Sequence, residues 1–365
     1  MAGVYISYPF CAQKCTYCNF ASGVFPRELE SRYVETLLAE LRSAEWPWTP
    51  ETVYLGGGTP SQMDPGALAA VLGVIPGQWA EATMEAAPGN LTAEKITAWK
   101  SAGINRVSLG VQSFDKKELA RTGRKHTAEV VEREIALLRA AGIESINVDL
   151  IAGLPGQTPA SWTASLDWIE KLAVPHVSVY MLEVDEDSRL GRELLVLGSR
   201  YGAGDVPNED AIADSYELAV ERLASLGIER YEISNFARPG FESRHNLKYW
   251  KRERYLGFGA DAHSFDGEMR WRNPENAAEY VAGHVDEHMA EQRQIERTPA
   301  DALGEPFFLG LRLREGVEGN AFPDVIERFL REGLLERAGN RVRLTTRGVL
   351  LSNEVFAEFI TPQNH

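Results

Sequence analysis

Residues 5–20 are Y-I-S-Y-P-F-C-A-Q-K-C-T-Y-C-N-F, and the rest of the chain is interpreted from this stretch. It contains Cys11, Cys15 and Cys18, which are the only cysteines among the 365 residues. Thiols that merely fill core space are not expected to gather within eight positions of one another. The spacing indicates a metal centre in which three thiolates on one short loop leave one coordination position open.

Two kinds of metal centre remain open at this point, and redox-active or inert thiols are a third alternative. Structural zinc sites take thiolates, but four protein ligands close them, and no His lies near this loop to supply the fourth. Iron–sulfur clusters are also held by thiolates, usually by four. With three, one iron keeps a free position for a substrate or cofactor.

The composition restricts the context of this centre. With 44% hydrophobic and 25% charged residues, the chain can build a core, and its length suits one barrel with a smaller domain. We expect a cytoplasmic protein with reduced thiols, since we find neither a signal peptide nor an apolar run of about 18 residues. The net charge of −15 disfavours a nucleic-acid partner.

Apolar β-branched runs alternate along the chain with segments of helical period, which predicts βα units and a parallel sheet. The expected fold class is therefore α/β, with a partial parallel (β/α) barrel of TIM type. Gly103, Gly142 and Gly227 each follow a helical pattern, as C′ residues do. The predicted strands are 4–7, 52–55, 83–86, 106–111, 145–150, 176–180 and 230–233, and the predicted helices are 32–44, 65–72, 93–102, 128–141, 159–172 and 211–226.

The C-terminal stretch predicts a separate, smaller α+β module. Residues 329–348 are typical of a winged helix, with a helix that stops at Gly333, a hairpin that turns at Gly339 and Asn340, and a further helix. We place the domain boundary between 270 and 271. Winged helices often bind DNA, but the acidic chain favours a lid or packing role; the candidate cations are Arg337, Arg341, Arg343 and Arg347.

Polar and glycine residues follow several predicted strands, where a parallel barrel places its active site. G-G-G-T-P, residues 56–60, lets the backbone approach a ligand closely, although a simple turn would have the same sequence. Glu85, Gln112 and Asp149 lie at the ends of the next three strands. Each taken singly is also explained as a cap or a satisfied surface residue, but together they predict one pocket.

The cysteine spacing, with Tyr17 just before the last cysteine, resembles the signature of the radical S-adenosylmethionine superfamily. The resemblance implies a [4Fe–4S] cluster on Cys11, Cys15 and Cys18, whose open iron chelates S-adenosylmethionine. It also implies a reductant such as flavodoxin or ferredoxin. The resemblance covers nearly the whole chain and narrows to the branch of oxygen-independent coproporphyrinogen III oxidase and the heme chaperone HemW.

The same resemblance implies a set of cofactor contacts. Arg124, in R-T-G-R-K-H, would pair bidentately with the methionine carboxylate, unless it is a solvated cation at a helix start. Gln112 and Asp149 would accept hydrogen bonds from the ribose hydroxyls. The residues implied to contact S-adenosylmethionine are Tyr5, Tyr17, Gly57, Gly58, Thr59, Glu85, Gln112, Arg124 and Asp149.

Four features of the resemblance favour the chaperone over the oxidase. Phe20 stands where the oxidase has a further Cys, and ten residues precede Cys11 where the oxidase has a longer extension. The segments H-N-L-K-Y-W at 245–250 and Y-L-G-F-G-A-D-A-H-S-F at 255–265 are similar to the chaperone's motifs.

A heme chaperone would bind heme as cargo and pass it to a client protein, with peripheral contact where clients are membrane-bound. The implied heme contacts are an axial ligand, His245, and two aromatic rings that could stack on the porphyrin, Tyr249 and Trp250. The alternative is an ordinary helix-packing cluster with His245 hydrogen-bonded inside it.

Two residues depart from the family pattern. Ser7 stands where many relatives have His, which weakens the oxidase interpretation, and Ala87 stands where Asn is expected. The oxidase, which converts porphyrinogen propionates to vinyl groups, remains the alternative function and the expected activity if the protein is an enzyme. A tRNA-modifying radical enzyme is a third candidate, disfavoured by the acidic charge.

Overall fold

The main body of the protein is a large sheet with helices packed against it. The computed structural model describes residues 2–285 and 297–360. The first six strands are parallel and lie side by side in chain order. They are β1 Ala2–Tyr8, β2 Thr52–Gly57, β3 Glu81–Ala86, β4 Arg106–Gln112, β5 Ser145–Ala152 and β6 His176–Met181. The predicted partial parallel barrel is confirmed, and the first six predicted strands each lie within an observed one.

Helices connect these strands and cover the outer face of the sheet. Pro26 precedes the first helix, which begins five residues before its predicted start. Gly103, Gly142 and Gly227 have φ values of +102°, +75° and +72°, as expected of C′ glycines. The helices are α1 Arg27–Ser43, α2 Pro65–Val74, α3 Ala93–Ser101, α4 Lys116–Arg121, α5 Ala128–Ala140, α6 Pro159–Leu172, α7 Arg189–Leu195 and α8 Glu209–Ser225.

Side chains alternate between the two faces of each strand, as the period of two requires. In β5, Val148 is fully buried in the hydrophobic core, whereas its neighbour Asn147 belongs to a polar layer inside the barrel. Asn147 Nδ2 lies 2.7 Å from Ser108 Oγ in β4 and 2.9 Å from Ser178 Oγ in β6. The barrel interior is therefore polar and hydrogen-bonded across strands, and the apolar core lies between sheet and helices.

The prediction of a strand at 230–233 is wrong in extent. The chain forms a short hairpin there, β7 Glu229–Arg230 and β8 Asn235–Ala237, and β8 pairs antiparallel with β6. Glu232 turns the chain between the two strands, because its buried carboxylate accepts hydrogen bonds from the Ser234 backbone N–H and the Asn235 side chain. The parallel repeat consequently ends at β6.

The other edge of the sheet continues from β1. Helix α9 (Arg244–Trp250) leads into β9 (Arg254–Phe258), which pairs parallel with β1. The antiparallel strands β10 (His263–Phe265), β11 (Met269–Arg272) and β12 (Thr298–Pro299) follow, with α10 (Ala277–Val285) between the last two. The domain boundary predicted between 270 and 271 falls inside β11 and stays a prediction. Within the second predicted domain, 286–296 and 361–365 lie outside the described residues.

The C-terminal module has the predicted order of a helix, a hairpin and a further helix. Gly333 and Gly339 have φ values of +71° and +65°, which suits the predicted helix stop and hairpin turn. No helix in the described part of the chain is long and apolar enough to cross a membrane. The elements are α11 Glu305–Gly310, β13 Val317–Glu318, α12 Pro323–Arg331, β14 Leu335–Ala338, β15 Arg341–Leu344, α13 Thr346–Leu350 and α14 Ser352–Ala357.

Candidate functional site

The cysteine loop leaves β1 at the C-terminal end of that strand and is closed at its base by backbone hydrogen bonds. The N–H of Cys11 donates to the Gly23 carbonyl over 2.8 Å, and the N–H of Gly23 donates to the Pro9 carbonyl over 2.9 Å. Cys11, Cys15 and Cys18 are all half-buried free thiols. The loop therefore presents its cysteines from a fixed base.

The three thiols are close enough to influence one another. Burial raises the pKa of the Cys11 thiol; hydrogen bonds from the Thr59 and Ser22 hydroxyls oppose this, and the Cys18 and Cys15 thiols add to it. Among the described residues, no group of three His, Cys, Asp or Glu side chains has the spacing to hold a single metal ion. Three free thiols on one loop are the donors that an iron–sulfur cluster takes.

The G-G-G-T-P segment lies directly against the base of the cysteine loop. The N–H of Gly58 donates to the Tyr8 carbonyl over 2.8 Å, and the N–H of Thr59 donates to the Phe10 carbonyl over 2.9 Å. A Cβ atom on Gly58 would lie 2.7 Å from the Pro9 carbonyl carbon. The simple-turn alternative does not account for this contact, because the glycine is required for the two loops to approach each other.

Glu85, at the end of β3, joins the glycine segment to the barrel interior. Its carboxylate accepts hydrogen bonds from the Tyr54 hydroxyl (2.8 Å) and the Gly57 N–H (3.2 Å). Tyr54 is also stacked on Tyr5, with ring centroids 6.1 Å apart. Burial raises the pKa of Glu85 to about 7; the hydrogen bond from Tyr54 opposes this, and the nearby Asp149 carboxylate adds to it. A cation placed here would favour the ionised carboxylate.

Asp149, at the end of β5, is held by the polar layer of the barrel. Its carboxylate lies 2.6 Å from Asn147 Nδ2 and 3.2 Å from Ser108 Oγ. Burial raises the pKa of Asp149, although the hydrogen bonds and the positive charge of Arg124 oppose this. Glu85 and Asp149 thus both have raised pKa values and lie within electrostatic reach of each other, and such clusters are typical of functional sites.

Gln112 and Arg124 meet above Gly110 at the end of β4. Gln112 has a φ of +70°, a left-handed conformation that is rare for residues other than glycine and is often found at functional sites. Arg124 Nη1 donates to the Gly110 carbonyl over 2.6 Å. Gln112 Oε1 and Arg124 Nε are buried without a partner. These two atoms are available to a cofactor, and the buried Arg124 does not match the alternative of a solvated helix-start cation.

Tyr17 lies between the cysteine loop and Arg124. Burial raises its pKa, while the Arg124 charge lowers it and the Cys15 thiol raises it. The same groups act on Arg124. Burial lowers the pKa of its guanidinium, but Tyr17 and Cys15 outweigh burial, so the pKa of Arg124 is raised overall. Tyr17 therefore connects a predicted cluster ligand with a predicted cofactor contact.

The structure thus brings together all nine residues predicted to contact S-adenosylmethionine and the three cysteines. They lie on the C-terminal halves of β1 to β5 or on the loops that follow these strands. Their individual roles remain predictions.

His245 lies elsewhere, at the N-terminal ends of β1 to β3. Its ring is 1% exposed. The ring nitrogen Nδ1 lies 2.8 Å from Thr52 Oγ1, and Nε2 lies 2.8 Å from the Tyr249 hydroxyl. The His245 backbone N–H donates to Glu81 Oε1 over 2.9 Å. This geometry agrees with the packing-cluster alternative, because both ring nitrogens already have partners.

Tyr249 and Trp250 occupy the surroundings of this cluster. The Tyr249 ring makes an edge contact with Tyr255, with centroids 4.7 Å apart. Trp250 packs against the C-terminal module, where the Arg312 guanidinium lies 4.3 Å from the centroid of its ring. The indole N–H of Trp250 is buried without a partner. The three residues predicted for heme are therefore close together, and Tyr54, whose ring stacks on His245 with centroids 5.2 Å apart, connects them to Glu85.

Two residues near the candidate cofactor contacts were missed by the sequence analysis. Tyr180, near the end of β6, lies within the electrostatic reach of Asp149 and Glu85, and its side chain is 42% exposed. The same rule of polar strand ends would have selected it. His126 lies near Arg124; burial and that positive charge lower its pKa to about 4. Its position after a glycine turn gave no sequence signal.

Two family profiles match the chain. The profile described as the Radical SAM superfamily matches residues 5–169, and that of the HemN C-terminal domain matches residues 298–351. The first contains every cysteine and every residue predicted to bind S-adenosylmethionine. A radical SAM domain implies a [4Fe–4S] cluster and S-adenosylmethionine.

Curated relatives match over almost their whole length. Proteins named "Heme chaperone HemW" from Lactococcus lactis and Bacillus subtilis are 34% and 33% identical to this chain, and the matches cover 98% and 99% of it and 96% and 99% of those relatives. The protein of the same name from Mycobacterium tuberculosis is 36% identical, over 97% of this chain and 93% of its own.

Among solved structures, coproporphyrinogen III oxidase (HemN) from Escherichia coli, described as a radical SAM enzyme, has a TM-score of 0.82. The match covers 99% of this chain and 90% of that one at 20% sequence identity. This likeness shows the fold.

Proposed function

Because the chain belongs to the HemW family of radical S-adenosylmethionine proteins, we propose that it is a heme chaperone that binds heme as cargo and passes it to a client protein. The observation that carries this proposal is the similarity to proteins named as heme chaperones over almost the full length of both chains. Two sequence features agree with it, Phe20 in the cysteine loop and H-N-L-K-Y-W at 245–250.

We assign the cluster to Cys11, Cys15 and Cys18 and S-adenosylmethionine to the set of strand-end residues. When bound and reduced, the cluster supplies an electron that can cleave a carbon–sulfur bond of the sulfonium. The protein's part is to position the cofactor and to neutralise its charged groups. Arg124, with its unpaired Nε, would hold the cofactor carboxylate. Glu85 and Asp149 would face its positive charge and its ribose hydroxyls.

Heme contact at 245–250 requires a rearrangement. Axial ligation through His245 would replace the contact of one ring nitrogen with Thr52 or Tyr249 and would expose a ring that is now 1% accessible. Movement of α9 away from the starts of β1 to β3 is therefore part of this proposal. In the packed state, burial and the Lys248 charge lower the pKa of His245 to about 3, so the imidazole is neutral before α9 moves.

The proposal is tested by titrating heme into the anaerobically reconstituted protein and following the Soret absorbance. We expect saturable binding by the wild type, weaker binding by His245→Ala, and unchanged binding by the control Arg133→Ala at an exposed position. Equal binding by all three proteins would place heme elsewhere. Absence of binding by the wild type, together with turnover of coproporphyrinogen III, would support the oxidase instead.

A further inference from the structure

A cleft lies between the β7 hairpin of the main body and the C-terminal module, away from the cysteine loop. Its volume is about 470 Å³. Arg230 and Arg314 line one side, and Arg343, Arg347, Thr345 and Thr346 line the other. Four guanidinium groups in one small cleft are unexpected in a chain whose net charge is −15.

The acidic residues around the cleft pair with only two of these four cations. Glu336 also lines the cleft but pairs with Arg343 over 2.7 Å. Arg314 pairs with Glu229 at the cleft edge. Arg347 Nη1 donates to the Glu332 backbone carbonyl over 3.1 Å and has no carboxylate partner among the described residues.

Arg230 is the most exceptional of the four. In the part of the chain that the structure describes, its guanidinium has neither an ion pair nor a side-chain hydrogen bond, although the residue is half-buried. Burial lowers its pKa, Tyr216 and Glu232 oppose this, and the charges of Arg314 and Arg343 lower it further. Glu232 is shared with Arg312, which lies 3.8 Å away. A half-buried cation among like charges is unfavourable unless an anion accompanies it.

A second, more apolar cleft of about 290 Å³ adjoins the first. The two share Arg230, Arg314 and Thr346, and Val220, Ala224 and Val349 line the second. A ligand that spanned both would place its anionic group among the arginines and an apolar body on these side chains.

We propose that this pair of clefts binds a small organic oxyanion, a phosphate or carboxylate that pairs with Arg230 and Arg347 and carries an apolar body seated on Val220, Ala224 and Val349. Guanidinium groups suit this chemistry because their N–H donors match the oxygens of both anions. The site goes beyond the proposed heme function and does not depend on it.

Nucleic acid fits the same region less well. The other arginines of the predicted basic set are engaged within the module. Arg337 pairs with Glu327, and Arg341 donates to the backbone carbonyls of Glu315 and Gly316. The hairpin therefore lacks a continuous row of free cations, whereas a backbone-binding surface needs several.

The test is calorimetric titration of the full-length reconstituted protein with phenyl phosphate, phenylacetate and inorganic phosphate. We expect Arg230→Gln to weaken binding of the preferred phenyl ligand by about tenfold or more, as the loss of a charged hydrogen-bonding group does. Arg337→Gln, a change of the same kind outside the cleft, should leave the affinity unchanged. If phenyl phosphate is preferred, inorganic phosphate should bind about tenfold more weakly, because it lacks the apolar body.

Comparison of phenyl phosphate with phenylacetate identifies the anion that the site prefers, because the two probes carry the same phenyl ring and one is a phosphate while the other is a carboxylate. Equal affinities in the wild type and Arg230→Gln would overturn the proposal, and so would absence of binding of all three probes. Duplex DNA that binds at physiological salt and is lost in Arg230→Gln would replace the small ligand with nucleic acid.

Thermal unfolding gives a second readout that does not require the variant to bind anything. Without ligand, Arg230→Gln should raise the unfolding temperature by about 1–3 °C, because it removes an unpaired half-buried cation. At the same concentration, the preferred phenyl ligand should raise the unfolding temperature of the wild type by more than that of the variant. A destabilised variant that the ligand stabilises as much as the wild type would contradict the assignment.

Discussion

Glu85 offers a quantitative test of the electrostatics of the candidate cofactor site. Its pKa is raised from 4.5 to about 7, mainly by burial. An acid with a raised pKa in the folded state stabilises the protein below its unfolded pKa and loses that contribution as the pH rises through its folded value. With about 1.4 kcal/mol for each pKa unit, the loss over the whole range is about 3 kcal/mol.

Glu85→Gln removes this ionisation. Between pH 5.5 and pH 8.5 we expect the wild type without cofactor to lose about 2 kcal/mol of unfolding free energy relative to the variant. The variant keeps an oxygen that accepts from the Tyr54 hydroxyl, but its amide cannot accept from both Tyr54 and Gly57, which costs about 1–2 kcal/mol at either pH. The difference between the two pH values therefore isolates the ionisation.

The assay is urea unfolding of the two proteins at both pH values, with Glu144→Gln as a control at an exposed position. The control should follow the wild type at each pH. If the unfolding free energies of Glu85→Gln and the wild type change in parallel between pH 5.5 and pH 8.5, the raised pKa of Glu85 is refuted.

Three further predictions concern the cluster and its cofactor. Cys15→Ser should lower the iron and sulfide content after anaerobic reconstitution, and an intact full cluster would contradict the ligand assignment. Arg124→Ala should weaken S-adenosylmethionine binding by roughly 10–100-fold in equilibrium dialysis, as expected for lost charged hydrogen bonds, whereas the exposed Arg133→Ala should not. Gly58→Ala should lower both cluster content and cofactor affinity, because its Cβ would lie 2.7 Å from the Pro9 carbonyl carbon. Gly73→Ala is the matched control, since a Cβ there meets nothing within 4 Å.

The parallel core of the fold was predictable because local patterns specify it. In β4, R-V-S-L-G-V-Q alternates polar and apolar residues, and Gly103 ends the helix before it at a φ of +102°. The strand at 230–233 was not predicted correctly, since Arg230 to Ile233 has the composition of a strand. What interrupts it is the carboxylate of Glu232, which binds the backbone and side chain of the residues after it.

The candidate site was predictable for a related reason. Glu85, Gln112 and Asp149 follow consecutive strands, and a parallel barrel brings consecutive strand ends together. The surroundings of His245 could not be predicted in the same way. Its partners Thr52 and Glu81 are 193 and 164 residues away in the chain, and no local pattern reports such contacts. The charge environment of Arg230 also depends on distant residues, in this case those of the C-terminal module.

The position of β1 in the sheet has a consequence for synthesis of the protein on the ribosome. Residue Ala2 of β1 pairs with Arg254 of β9, so β1 is a central strand whose second neighbour is made long after it. At the usual 5–20 residues per second, the 251 residues between these two take roughly 13–50 s to be translated. During that interval β1 has an open edge that is prone to mispairing. The cysteine loop then follows a strand that has backbone hydrogen bonds to β2 only. Cluster insertion into the finished site must therefore wait until translation has passed β9.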